Sequence, residues 1–223
     1  MDMKFFISAI TKYLLGIILI GLLLFLPAGS FHYWNGWLFM AILFIPMLIM
    51  GIVMIIYNPE LLVKRLLAKE KESEQKKVVL LSGLMFLLGF ILAGLNYRFN
   101  WFTLPKTVVV ISSVIFILSY ILYMEVLREN TYLSRTIEVF ENQKVVDTGL
   151  YKIVRHPMYL ATLFLFLSIP LVLGSLISFI VFMFYPLIII KRIRNEEKVL
   201  ERELKGYKEY QSKVKYRIIP YIW

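Results

Sequence analysis

At 223 residues, 60% of them hydrophobic and with a mean hydropathy of +0.74, the chain is too apolar for a soluble domain and reads as a polytopic membrane protein. The absence of cysteine excludes disulfides, thiolate nucleophiles and Cys-based metal sites, and two histidines exclude a His-rich metal cluster. A net charge of +10 fits cytoplasmic loops facing anionic lipid, so nucleic acid need not be invoked.

The first apolar run covers residues 13 to 29. Lys4 and Lys12 before it and Ala28-Gly29-Ser30 after it would also suit a signal peptide, but it is read as a retained transmembrane helix. Residues 31 to 35 form a short aromatic turn. His32, Tyr33, Trp34 and Trp37 suit a membrane interface, and His32 is read as interfacial rather than catalytic. Residues 36 to 57 are the second span, with Pro46 and Gly51 as candidate kinks.

Asn58-Pro59-Glu60 is a helix start: a capping Asn, Pro at the first position, then an acid in the first turn. The helix it opens, to about residue 77, sets Leu61, Leu62, Leu66 and Leu67 among Lys64, Arg65, Lys69 and Lys71. That pattern suits an amphipathic helix lying on the membrane, with a solvated connector as the alternative. Residues 78 to 97 are the third span and residues 107 to 127 the fourth. Glu125, near the inner end of the fourth, is expected to bridge to Arg128.

Residues 128 to 157 form the longest polar connection. The following 33 residues, 158 to 190, carry no charge. One span needs roughly 20 residues, so this run is too long for one helix and too short for two with an ordinary loop. With Pro170, Gly174 and Ser175 at its middle, it predicts a tight helical hairpin turning at the far membrane face. The expected fold is therefore all-α and polytopic, with about six transmembrane helices, the last two a hairpin, and a cytoplasmic C-terminal helix. Two regions are expected: residues 1–127, holding the N-terminal spans with the amphipathic connection at 58–77, and a core at 128–223.

The 25 Lys and Arg residues set the orientation. Two precede the first span and none separates it from the second. Six lie between the second and third spans, two between the third and fourth, five from Arg128 to Arg155 and ten from Lys191 to Arg217. The alternation places both termini and both long polar connections in the cytoplasm. The connection before residue 158 and the tail after residue 190 can then meet.

Chemistry is expected where they meet. In Asp147-Thr148-Gly149-Leu150-Tyr151-Lys152-Ile153-Val154-Arg155-His156-Pro157-Met158-Tyr159, an Arg-His-Pro triplet abuts the bilayer. Pro157 restricts His156 to extended backbone, so a helix starts at or just after Pro157, its first amides open to an anionic group. A plain positive-inside flank is the alternative. Residues 191 to 211 read as one helix. At about 100° per residue from Ile193, Leu200, Leu204 and Tyr207 make a narrow apolar stripe, with Glu197 about 40° and Glu196 about 60° to either side. An inward-facing acid needs a partner. Helix pairs Arg192 with Glu196 and Arg194 with Glu197 are the alternative. Beyond Gly206, Tyr207, Tyr210, Tyr216, Arg217 and Trp223 form a tail able to pack back over the site as a cap.

Gly149-x-Tyr151-x-x-x-Arg155-His156-Pro157-x-Tyr159, the long hairpin, Glu196-Glu197, then Gly206-x-x-x-Tyr210 with Val214, Arg217 and Pro220, resembles the isoprenylcysteine carboxyl methyltransferase family. Phospholipid N-methyltransferases are similar in the same region. The resemblance is specific over residues 128 to 223, although Asn58-Pro59-Glu60-Leu61-Leu62 also looks like prokaryotic members. It implies an integral membrane enzyme using S-adenosylmethionine, with no metal, on a lipophilic acceptor drawn from the bilayer. By that resemblance Tyr151, Arg155, His156, Pro157 and Tyr159 would form one wall of the cofactor pocket and Glu196 and Glu197 another. Glu197 and Arg155 would carry the catalytic role, and Arg217 and Tyr210 would meet the acceptor. One departure is Ala161, where members often have Gly two positions after the motif's Tyr. A carboxylate acceptor needs no general base; an amine acceptor would need one, with Glu197 or His156 as candidates. The competing readings are an NADPH-dependent sterol-type reductase, whose tail is similar to residues 214 to 220, and a non-enzymatic membrane protein. Pro157 and the paired carboxylates favour the methyltransferase, because two adjacent acids would repel a dinucleotide's phosphates.

Overall fold

The computed structural model describes residues 3–67, 73–134 and 136–223, and among them the regular structure is helical. In chain order these are α1 (Met3–Ala28), α2 (Trp34–Tyr57), α3 (Pro59–Leu67), α4 (Ser73–Phe99), α5 (Lys106–Glu129), a 3-10 turn (Gly149–Lys152), α6 (Pro157–Val172), α7 (Leu176–Phe182), α8 (Tyr185–Glu203) and α9 (Tyr207–Lys213). Five helical stretches are long and apolar enough to cross a membrane: Phe6–Ala28, Trp34–Tyr57, Gln75–Phe99, Lys106–Glu129 and Leu176–Glu203. The chain is thus an all-α, polytopic membrane protein. Its outward faces agree, since Leu15, Leu19, Ile56, Leu118 and Leu187 are all more than half exposed.

The uncharged run folds as the expected hairpin. α6 has 16 residues, about 24 Å at 1.5 Å per residue, and falls short of a hydrocarbon core of about 30 Å. The chain turns at Gly174, whose φ of +71° is open to a residue without a side chain. Ser175 then caps α7 by accepting from the Ser178 amide at 3.2 Å. The turn is tied to the two short loops. Tyr33 Oη donates to the Leu173 carbonyl at 2.6 Å, Asn35 Nδ2 donates to the Val172 carbonyl at 2.8 Å, and Ser175 pairs with Thr103. All three turns therefore share one end of the bundle, and the long polar connections take the other.

Helices without a hydrophobic driving force between them associate where small residues let backbones approach. A Cβ on Gly94 would stand 2.6 Å from the Leu24 carbonyl, so α4 meets α1 backbone to backbone there. On Gly89 it would stand 2.3 Å from the Phe182 ring, which is fully buried against α4. Ala161 is fully buried too, so close packing survives the departure from Gly. Edge-to-face contacts of Phe86 with Phe166 and Phe182 fill the centre.

Glu125 and Arg128 bridge as expected, at 2.6 and 2.8 Å. One expectation needs correction. Residues 191 to 211 are not one helix: the chain breaks after Glu203, and Gly206 takes a left-handed φ of +87° before α9. Of the connection expected at 58–77, α3 covers Pro59–Leu67 and α4 begins at Ser73, while the positions 68–72, with Lys69 and Lys71, lie outside the described residues. α3 also has a protein partner for its apolar face, because Leu61 is buried against Met54 and Leu127.

Candidate functional site

Pro157 opens α6 and keeps the residue before it out of the helical region, with His156 at φ −128° and ψ 62°. Backbone outside the helix needs a hydrogen-bonding partner, and the tail supplies one. The Arg155 amide donates to the Tyr216 carbonyl at 2.9 Å and the His156 amide to the Arg217 carbonyl at 2.8 Å. The tail therefore packs back over the motif.

Side chains reinforce that clasp. Arg155 Nη1 donates to the carbonyls of Val214 at 2.7 Å and Lys215 at 2.9 Å, and Arg155 Nε donates to Glu197 Oε1 at 2.8 Å. Arg217 Nε donates to the other oxygen, Glu197 Oε2, at 2.7 Å. His156 Nε2 lies 3.3 Å from Glu197 Oε1, and His156 Nδ1 3.9 Å from Glu196 Oε1. The side chains of Arg155 and Glu197 are each only 5% exposed. Burying a charge is tolerated here because the carboxylate is shared between two guanidinium groups that satisfy both of its oxygens.

Glu196 is held separately. Tyr159 Oη donates to Glu196 Oε2 and accepts from Arg192 Nε at 2.9 Å. Tyr151 sits on the 3-10 turn, where Asn130 Nδ2 donates to its hydroxyl at 2.9 Å and Tyr210 Oη donates to its carbonyl at 2.7 Å. Glu129 anchors that turn, accepting from Thr148 Oγ1 at 2.8 Å and from the Leu150 amide at 3.1 Å. Burial pushes the Tyr151, Tyr207 and Tyr210 hydroxyls well above the usual phenol range, and each stays a neutral O–H at physiological pH.

These groups border a pocket enclosing about 800 Å³, counting its open mouth. Its lining mixes charged groups (Arg155, His156, Arg192 and Glu196), apolar and aromatic ones (Leu133, Val145, Val146, Leu200, Tyr207 and Tyr210) and polar ones (Asn130, Ser134, Thr136, Glu138, Gln143, Lys144 and the Tyr159 hydroxyl). Of the residues expected at the site, Tyr151, Arg155, His156, Tyr159, Glu196 and Tyr210 line this pocket. Glu197 and Arg217 stand behind that wall and border a groove on the other side of α8, with Leu187 and Ile190. Pro157 shapes the wall through the backbone. His32 is exposed on the loop at the opposite end of the bundle.

Two parts of the site escaped sequence reasoning. The wall from Asn130 to Val146 has no helical or strand periodicity to mark it, and only a polar stretch such as Ser134 to Glu138 hinted at use. Tyr207, expected in the apolar stripe and in the capping tail, proves to be part of the pocket wall itself. Among the described residues no group of three or more His, Asp or Glu is placed to hold a metal.

Residues 108–202 match the isoprenylcysteine carboxyl methyltransferase (ICMT) family. A segment of 91 residues is 34% identical to the Delta(14)-sterol reductase TM7SF2 of Mus musculus, a match covering 40% of this chain and 22% of that protein. The match thus spans about a fifth of that relative's length.

Proposed function

We propose that this chain, a membrane protein of the isoprenylcysteine carboxyl methyltransferase family over residues 108–202, is an S-adenosylmethionine-dependent methyltransferase acting on a lipophilic acceptor. The observation that carries the reading is the pocket walled by Arg155-His156 and Glu196 within the matched segment. Its lining fits the cofactor. The apolar side chains suit a flat base, the Glu196 carboxylate suits ribose hydroxyls or an ammonium group, and the guanidinium of Arg155 suits a carboxylate. Bound there, S-adenosylmethionine supplies an electrophilic methyl group on sulfur.

The chain's own residues then have positional work. Glu197 fixes Arg155 and His156 on the wall and ties them to the tail. Its role and that of Arg155 in catalysis are orientation and exclusion of water. A carboxylate acceptor is already a nucleophile, so carboxyl O-methylation of an isoprenylcysteine-like substrate asks for no base. Of Arg217 and Tyr210, the residues expected to meet that acceptor, Arg217 lies across α8 from the pocket and is held by Glu197, so Tyr210 is the one we assign to the acceptor. Tyr210 contributes its ring. An amine acceptor, as in phospholipid N-methylation, would lose a proton to His156, which lies between two carboxylates. By the distribution of Lys and Arg, the site faces the cytoplasm.

The likeness to a sterol reductase favours a second reading, NADPH-dependent reduction. Titrating the protein in nanodiscs with S-adenosylhomocysteine, and separately with NADPH, decides between the two. We expect micromolar binding of S-adenosylhomocysteine alone, then transfer of labelled methyl to an S-farnesylcysteine acceptor in preference to phosphatidylethanolamine. Binding of NADPH alone would establish the reductase reading, and binding of neither would point to a non-enzymatic membrane protein.

A further inference from the structure

Tyr207 opens α9 directly after the left-handed Gly206, and it is 4% exposed. Its ring packs in a cluster with Val126, Tyr151, Leu204, Tyr210 and Val214. Its hydroxyl is buried and has no hydrogen-bond partner among the described residues, and the residue is part of the pocket wall. The neighbouring tyrosines differ: the hydroxyls of Tyr151, Tyr159 and Tyr210 are all bonded. Phenylalanine would fill the same space without leaving a donor unsatisfied, so an unpartnered hydroxyl here is unfavourable until a ligand supplies the acceptor.

The surroundings restrict what that acceptor is. Burial first, and then the charges of Glu197 and Glu196, keep the Tyr207 phenol protonated, so it donates. The same two carboxylates disfavour an anion at this spot. The apolar side chains of Leu133, Val145, Val146 and Leu200 suit a flat, neutral ring system. Neutral acceptors in the plane of a flat ring are heterocyclic nitrogens and ring carbonyls, and the base of the proposed cofactor offers the nitrogens.

We propose that the Tyr207 hydroxyl donates a hydrogen bond to a ring nitrogen of the ligand's aromatic base, which places the base under α9, against Leu133, Val145, Val146 and Leu200. The inference rests on the methyltransferase reading and adds to it which residue reads the base and where the base lies.

The test uses full-length protein in nanodiscs and three forms: wild type, Tyr207→Phe, and wild type against analogues of S-adenosylhomocysteine in which N1, N3 or N7 of the base is replaced by C–H. Tyr207→Phe is expected to bind S-adenosylhomocysteine about tenfold more weakly, the size of one net hydrogen bond. Its ligand-free melting temperature should be equal to or above that of wild type, since an unsatisfied buried group has gone. One of the three analogues should lose the same factor on wild type, while Tyr207→Phe binds that analogue and S-adenosylhomocysteine alike. Unchanged affinity in Tyr207→Phe would overturn the role of Tyr207 and leave the methyltransferase reading standing. A lowered ligand-free melting temperature with undiminished sensitivity to all three analogues would mean a packing role and overturn it too. Wild type that binds no S-adenosylhomocysteine would overturn both.

Discussion

Replacing Glu197 with alanine removes the carboxylate that joins Arg155 to Arg217 and leaves a guanidinium buried with only the Val214 and Lys215 carbonyls for company. Stripping one partner from a buried ion pair costs about 3–5 kcal/mol, because the remaining charge is uncompensated. For a chain of this size, where 1 kcal/mol moves the melting temperature by about 2–4 °C, that is a loss of about 6–20 °C. Arg217→Ala is the internal comparison. Glu197 keeps Arg155, and the Arg217 side chain is 34% exposed, so the cost should be nearer 1–2 kcal/mol. Thermal unfolding in nanodiscs measures both variants. Hydrogen exchange at the Arg155 and His156 amides reports whether the tail has let go, since these amides bond to the Tyr216 and Arg217 carbonyls. S-Adenosylhomocysteine affinity should vanish in Glu197→Ala and in Arg155→Ala but persist in His32→Ala, which alters an exposed loop at the far end. Should Glu197→Ala unfold within a degree or two of wild type with both amides still protected, the shared carboxylate is not what closes the site.

A Cβ on Gly149 would stand 2.1 Å from Glu129 Oε1, and φ there is +43°. Gly149→Ala should therefore detach Glu129 from the turn that carries Tyr151, costing about 1–3 kcal/mol and weakening S-adenosylhomocysteine binding in the same titration. An unchanged melting temperature would show that the turn adapts at no cost. The third expectation concerns alkali. Burial raises Tyr151, Tyr207 and Tyr210, so the folded chain holds these phenol protons beyond about pH 10, where unfolded tyrosine loses them. Their contribution to stability is complete below about pH 10 and is lost as pH rises further. A melting-temperature profile should bend downward above that pH, less steeply in Tyr207→Phe, and an equally steep fall in that variant would assign the effect elsewhere.

Much of this was legible in the sequence because the bilayer restricts what a chain can do. Runs of about 20 apolar residues leave few alternatives to a helix, and the break of charge at Lys191 marked where the last crossing emerges. That an inward-facing acid needs a partner was readable from chemistry, but helix pairs to Arg192 and Arg194 would have met that need, and only the family resemblance set Glu196-Glu197 opposite Arg155-His156. The break after Glu203 was not readable. Leu204 and Tyr207 continue the apolar stripe of α8, and that periodicity is indifferent to Gly206 leaving the helix. The wall from Asn130 to Val146 was hidden for a different reason. An irregular segment takes its shape from what it packs on, here α5, α8 and α9, and nothing local encodes that.

By itself, the sequence determined the class of the molecule, its helical composition, the hairpin at residues 158 to 190, and which polar residues are too costly to be idle. Each follows from local pattern or from the free energy of placing a charge near lipid. The tertiary structure alone decided which of two adjacent carboxylates faces the pocket. Glu197 lies nearer the centre of the buried face and so meets Arg155 and Arg217, while Glu196, turned about 100° away on the same helix, is left to line the cavity beside Tyr159. A one-residue step on a helix sets one acid between two guanidinium groups and the other on the pocket wall, and only the packing of the tail against α8 shows which is which.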